Sequence, residues 1–466
     1  MIGANGAAAK AASPGNLASE FGALVAVTAP LAISYIAEMA MSFTDTVVVG
    51  RLGSLELGAV GLTATIFFSL LLACMGVISM VGVFAAEAHA QDDREAVADS
   101  VRQGYWVSLL LTLPAMALAW HLAPILAWLG QDPAIIPFAE AYVRAVMWCF
   151  LPYLWITVLR GFLTALSHTA PIMAITIAMV ALNLGANYVF VFGHFGFPAL
   201  GVAGSGLATS LVCWVMLGAL VLYIEISGRF RAYGVTRRLT TVRPKTIARM
   251  LRLGLPAAGM NAAETTMFST IAVLMGILGT VELAANQIAS TFLSILFMVP
   301  MALGHAASTR VAYCRGLGDA ALARRAGLIA IVATVAYMLV VALVIWAMPG
   351  LIARIFLDTA QAGNAAVIEL TVTLLLIAAI SQVSDGVQTV AAGALRGLGD
   401  TNWPFVFSLV GFNVVGLGSG ALFAFSLGLG ARGLWLGLAL GLTVSAAVFT
   451  WRFHRLSRQR LEPVPA

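Results

Sequence analysis

Charge is scarce in this chain. Only 10% of its 466 residues are Asp, Glu, Lys or Arg, where a soluble domain carries about a quarter. With 61% hydrophobic residues and a mean hydropathy of +0.98, no water-facing fold could hide the apolar surface, so the chain reads as an integral membrane protein. Its four cysteines (Cys74, Cys149, Cys213, Cys314) have no CxxC spacing and its six histidines are dispersed, which excludes a metal ribbon and a disulfide framework. Residues 1–20 hold one lysine and no hydrophobic core, so no cleaved signal peptide is expected. No nucleophile constellation, metal-ligand set or paired DDxxD motif is present at membrane depth, so an intramembrane enzyme is not expected and no cofactor is called for.

What the chain does contain is a repeat. Pro30–Leu57 and Pro256–Leu283 align without a gap at an offset of 226 positions: Pro30, Glu38, Gly53, Glu56 and Leu57 fall on Pro256, Glu264, Gly279, Glu282 and Leu283. The register returns where Leu129–Asp132 meets Ile355–Asp358. Twelve apolar spans follow from the hydropathy pattern, at about 21–49, 57–86, 104–127, 137–160, 171–193, 200–224, 254–279, 283–306, 326–348, 366–394, 403–427 and 431–452. Prolines in the first and seventh mark expected kinks. The reading is an all-α membrane protein of twelve transmembrane helices in two parallel six-helix repeats.

Placing the N-terminus in the cytoplasm puts all but four of the 25 Lys and Arg inside; only Arg51, Arg144, Arg354 and Arg432 stay outside. The +5 net charge therefore reflects topology, and no nucleic-acid partner is expected. The divisions are a cytoplasmic arm (1–20), a six-helix bundle (21–224), a basic cytoplasmic linker (225–252) that sets topology and touches anionic lipid headgroups, a second bundle (253–452) and a cytoplasmic tail (453–466). The pentapeptide RGLGD at Arg315–Asp319 and Arg396–Asp400 reads as a Gly turn between helices, and Gly433, Gly437 and Gly441 as close helix packing. Asp92, Asp93, Glu95 and Asp99 read as a solvated loop face, and Glu140 with Arg144 as an interfacial ion pair.

The informative residues are acids at membrane depth: Glu38 and Asp45 in the first span, Glu264 in the seventh and Asp385 in the tenth, with no Lys or Arg at mid-span. An ionised carboxylate there costs at least about 2.5–3.5 kcal/mol. Each must be protonated, hydrated or occupied by an imported cation, and that requirement is itself a route to ion-coupled transport. Asn183 and Asn187, four apart on one helical face, and Thr209 would join Asp45 to supply hard oxygen ligands for sodium or a shared proton. Gln382, Asp385 and Gln388 share a face of the tenth span. Mid-span asparagines also clamp helices together, and that alternative stays open.

The chain resembles the multidrug and toxic compound extrusion (MATE) family, in its NorM-type branch, over nearly its whole length. The carriers are SFTDTVVVGRLGSLELGAVGL (42–62), RGFLTALSHTAPIM (160–173), NLGANYVFVFGHFGFPALGVAGSGLAT (183–209), GLPAAGMNAAE (254–264) and SDGVQTVAAGALRGLGDTNWP (384–404). The resemblance implies an antiporter with a V-shaped central cavity that expels small organic cationic or amphipathic compounds in exchange for sodium or protons. It would work as a monomer in the bacterial inner membrane, both termini cytoplasmic. It further implies that Asp45, Asn183, Asn187 and Thr209 form an N-lobe cation site (the first three ligating sodium, if sodium is the coupling ion) and that Glu264 and Asp385 mark a C-lobe site. Gln382 and Gln388 are additional candidates. Glu38 is a further candidate: the family more usually carries an uncharged polar residue such as glutamine there, and the extra acid would add a proton site or bias the cavity toward cations. A lipid-linked oligosaccharide flippase of the same superfamily is the competing expectation, weakened by the lack of basic residues inside the spans.

Overall fold

The computed structural model describes residues 17–128, 130–356 and 364–458. Leu129 and Asp358, named above, lie outside them. Among the described residues there are helices and no strands. Eleven helices are long and apolar enough to cross a bilayer, and a bent pair completes twelve. They are α1 Leu17–Gly50, α2 Ser54–Ala90, α3 Arg94–Trp120 with Leu122–Trp128 turned from it by 54°, α4 Ile136–Ala165, α5 Ala170–Phe192 and α6 Val202–Ile226. Next come α7 Pro244–Leu278, which takes in the last residues of the expected 225–252 linker, α8 Thr280–Gly316, α9 Ala320–Ala347, α10 Asn364–Gly397, α11 Asn402–Ser426 and α12 Gly430–Leu456. Outward-turned Val332 (66% exposed) and Leu343 (62% exposed) on α9 would be a liability in water and suit contact with acyl chains.

The repeat is visible in local chemistry. Asp93 caps α3 by accepting from the Ala96 N–H at 2.9 Å, and Asp319, 226 positions on, caps α9 by accepting from the Leu322 N–H at 2.8 Å. Gly53 and Gly279 take the same backbone conformation, φ 159° in both, which only glycine adopts readily. A first-turn glutamate, Glu56 or Glu282, follows each and suits the positive end of the helix dipole.

The chain divides into two compact units, and the division crosses two helices. One unit is Ile33–Ala258; the other joins the chain up to Ala32 with Gly259 onward. Residues 17–32 of α1 thus belong with the second half of the sequence, and the start of α7 belongs with the first. Each changeover lies two residues beyond a helix-interior proline, Pro30 or Pro256, where the missing backbone N–H weakens the helix. In the first unit α2 and α7 meet through glycines: a Cβ on Gly76 would lie 2.6 Å from the Ala258 Cα, and one on Gly254 2.7 Å from the Val77 Cα. In the second, Glu20 of α1 pairs with Arg310 of α8 at 2.6 Å.

The linker is more tightly held than a solvated basic segment. The Trp106 Nε1–H donates to the Leu239 carbonyl at 2.8 Å, the Gln103 side chain donates to the Thr241 carbonyl and accepts from the Arg243 N–H, and Asp99 pairs with Arg243 at 3.4 Å. Asp99 is only 5% exposed, which corrects its assignment to a solvated face. The reason is that the linker folds back over it. Glu95 is taken by Arg102, and Glu140 pairs with Arg144.

Both RGLGD copies form Gly turns, with φ +75° at Gly318 and +79° at Gly399. The Arg315 Nη1 donates to the Leu398 carbonyl at 2.9 Å, so the first turn is tied to the second. The glycine ladder of α12 packs on α11, where added Cβ atoms on Gly437 and Gly441 would strike the backbone of Gly420 and Gly416. Facing it, α11 widens into π-helical turns over Leu409–Leu417 and Leu422–Ser426. Gly437→Ala should therefore destabilise by about 1–3 kcal/mol. Gly418→Ala, with nothing within 4 Å of its new methyl, should be neutral or stabilising by up to about 1 kcal/mol. Thermal unfolding in detergent checks the contrast; equal losses would contradict the packing.

Candidate ion-coupling sites

Asp45 lies on the part of α1 belonging to the first unit, and three side chains from two helices converge on it. The Asn183 and Asn187 amides donate to its Oδ1 at 3.1 and 2.7 Å, and the Thr209 hydroxyl donates to its Oδ2 at 2.9 Å. The spacing of the asparagines, one turn apart on α5, puts both on the face towards α1, and Asn187 also donates to the Asn183 carbonyl at 3.0 Å. Both asparagines are buried, at 1% and 0% exposure. Their Oδ1 atoms and the Ser205 Oγ are buried without a hydrogen-bond partner. Buried polar atoms are rarely left so. One carboxylate with two unused amide oxygens is a hard-oxygen donor set that fits a monovalent cation, provided the amides rotate to turn oxygen towards it. Among the described residues no group of three or more His, Cys, Asp or Glu could hold a metal ion, so a site of several acids, as divalent cations prefer, is not what these residues build.

The second unit brings Glu264 and Asp385 together. The Gln388 amide donates to the Asp385 Oδ1 at 3.4 Å, and the Glu264 and Asp385 carboxyl groups are close enough to act on each other's charge. Neither has an ion-pair partner among the described residues. Asp385 and Gln388 are buried, and the carbonyl oxygens of Gln382 and Gln388 have no partner. Gln382 is thus in the same buried layer without bonding either acid. Asp385 is buried and Glu264 half-buried, and two like charges near each other at membrane depth are costly unless a cation or proton offsets them.

Glu38 is the correction. It was expected to be an acid without a basic partner, yet the Arg160 Nη2 donates to its Oε1 and the Tyr153 hydroxyl donates to its Oε2 at 3.1 Å. The reason is one of helix length. The fourth span was ended at residue 160, among the cytoplasmic basic residues, but α4 continues to Ala165 and Arg160 is 4% exposed. A basic residue does sit inside a span, and Glu38 is already neutralised. Neither Arg160 nor Tyr153 was found by sequence reasoning. The signal available was that Arg160 stands among apolar residues on both sides.

The repeat and the helical membrane fold have a counterpart in known proteins. The profile of the MatE family matches this chain twice, over residues 30–189 and 256–422. The chain belongs to the MatE family. Each match starts on one of the repeat's prolines, so the family's unit is the half-chain. Among similar curated MatE-type proteins, the "Probable multidrug resistance protein NorM" of Mesorhizobium japonicum is 39% identical over 98% of both chains, and the "Multidrug resistance protein NorM" of Burkholderia vietnamiensis 36% identical over 95% of this chain and 96% of its own. The fold matches the eukaryotic MATE transporter AtDTX14 (TM-score 0.83, 22% identity, 95% and 98% covered). It also matches the outward-facing conformation of a multidrug resistance MATE family transporter of the MOP superfamily (TM-score 0.83, 19% identity, 94% and 96% covered). An all-α membrane fold of the MATE type is therefore established.

The geometry separates charge from hydrogen bonding at Asp45. Asp45→Asn keeps a carbonyl oxygen for the donors, whereas Asp45→Leu strands an N–H of Asn183 and one of Asn187 and leaves the Thr209 hydroxyl only the Ser205 carbonyl at 3.2 Å, at about 1–3 kcal/mol for each group left unsatisfied. Melting curves in detergent should place Asp45→Leu well below Asp45→Asn. The opposite order would contradict the hydrogen-bond assignment.

Proposed function

We propose that this protein is a multidrug efflux antiporter, exporting small organic cationic or amphipathic compounds in exchange for sodium or protons. The observation that carries the proposal is the presence of Asp45 in one unit and the Glu264–Asp385 pair in the other, each without an ion-pair partner among the described residues and each beside buried, unpartnered amide oxygens. Such groups take up a cation or proton when it is offered and release it when the surroundings change. The names of the curated relatives support drug efflux as the direction of work. The positions of the basic residues support cytoplasmic termini, the bacterial sources of the similar proteins support a bacterial inner membrane, and the presence of both repeat halves in one chain supports a working monomer.

In the proposed cycle the coupling ion binds the carboxylates from outside, which disfavours substrate; substrate bound from inside displaces the ion. Antiport needs the two ligands to favour different conformations, and a coupling of about 1–3 kcal/mol is the ordinary size of such an effect. Each net positive charge that enters down the membrane potential supplies about 2.3 kcal/mol per 100 mV, enough for a roughly fifty-fold substrate gradient; exchanging a monovalent organic cation therefore draws on the potential only when more than one ion enters per substrate. A flippase for lipid-linked oligosaccharides needs cationic residues for a pyrophosphate headgroup. Arg160 does not serve, because Glu38 neutralises it.

Efflux of ethidium from inverted vesicles, with sodium and pH gradients imposed separately, tests the proposal. Wild type should respond to one gradient, and Asp45→Asn, Glu264→Gln and Asp385→Asn should each lose at least about tenfold in rate while still inserting. Variants that match wild type would show that the carboxylates are structural.

A further inference from the structure

The Glu38–Arg160 pair is a buried charge constellation of the first unit, on the same helix as Asp45, that the proposed cycle does not use. Tyr35 and Glu38, three apart on α1, present one face to Arg160: the guanidinium carbon lies 5.1 Å from the Tyr35 ring centre while its Nη2 donates to Glu38. Tyr153, two turns before Arg160 on α4, completes the carboxylate's shell at 3.1 Å. The Nε and Nη1 of Arg160 are buried without a hydrogen-bond partner, so Glu38 is what compensates this charge.

Asp45 is seven residues further along the same face of α1, about 10 Å away along the axis. The segment Ile33–Gly50 is therefore fastened inside its unit at two polar points. The lower one, to α4, is permanent, since a guanidinium stays charged at any physiological pH. The upper one, to α5 and α6 through Asn183, Asn187 and Thr209, is conditional, because its hydrogen bonds depend on whether Asp45 is ionised, protonated or holding a cation. Glu264 stands at the repeat position of Glu38 but faces Asp385 instead of an arginine. The two halves have thus given one inherited glutamate opposite tasks.

We infer that Glu38, Arg160 and Tyr153 are positioning residues: a fixed pivot that orients α1 so that Asp45 meets its partners, and so sets the affinity of that site for the coupling ion. Glu38 is not a further ion site. The inference rests on the antiport reading, in which Asp45 binds the ion.

The test is the half-saturating concentration of the external coupling ion for ethidium efflux from proteoliposomes, with the number of ions exchanged per ethidium and the melting temperature recorded alongside. Glu38→Gln and Arg160→Gln should each raise half-saturation about tenfold with the ion count unchanged, and the charge exchange Glu38→Arg with Arg160→Glu should return it to within about threefold of wild type. Tyr153→Phe, which removes one hydrogen bond and no charge, should move it in the same direction by about threefold, and keeps the test open if a charged variant does not fold. Lowered melting temperatures with half-saturation unmoved would overturn the inference in favour of a purely structural pair. A smaller ion count in Glu38→Gln would overturn it in favour of an ion site. A wild type that moves no ethidium under either gradient would overturn the antiport reading, and this inference with it.

Discussion

An ionised carboxylate in the bilayer interior has to be answered by something, and how each one is answered organises this protein. Glu38 is answered by the protein itself, with Arg160 and Tyr153 fixed on α4. Asp45 receives only neutral donors from α5 and α6, and Asp385, near Glu264, receives one amide. Neutral donors lower the cost of the charge without cancelling it. On the proposed function these groups answer to a proton or small cation that reaches them, whereas Glu38 already has its cation in Arg160. The same physics that makes buried acids rare makes them useful where they persist.

The repeat supplies the frame for this division of labour. Equivalent caps at Asp93 and Asp319 and equivalent glycine turns at Gly53 and Gly279 show two copies of one design. Equivalent prolines mark where α1 and α7 pass from one compact unit to the other. Asp45 and Glu264 each lie beyond the proline of their helix, in the unit that the helix enters there. Symmetry is broken in side chains and not in backbone: an arginine in one half, a second acid in the other.

Most of the architecture was legible in the sequence because membrane insertion leaves a strong record. Apolar runs of about 20 residues fix the spans, the ungapped repeat fixes the halves, and the spacing of Asn183 and Asn187 fixes a shared face towards Asp45. Less legible was whatever depends on where a helix stops or on a contact distant in sequence. Arg160 looked like the end of a span because charge usually ends one; only a partner 122 positions away, Glu38, makes it tolerable a turn inside. The passage of α1 between units was equally hidden, since a proline announces a kink and not which half each side packs on. Asp99 looked solvated because the linker that covers it starts more than a hundred residues later.

The central claim is that organic cation and coupling ion compete for the same unpaired carboxylates. Equilibrium binding of tetraphenylphosphonium to the purified protein, titrated against sodium at fixed pH and against pH at fixed sodium, tests it most directly. The account predicts an apparent affinity that falls steadily, by tenfold or more, as one of the two ions rises, and an Asp45→Asn, Glu264→Gln, Asp385→Asn triple variant that no longer responds. Binding indifferent to both ions in the wild type would contradict it.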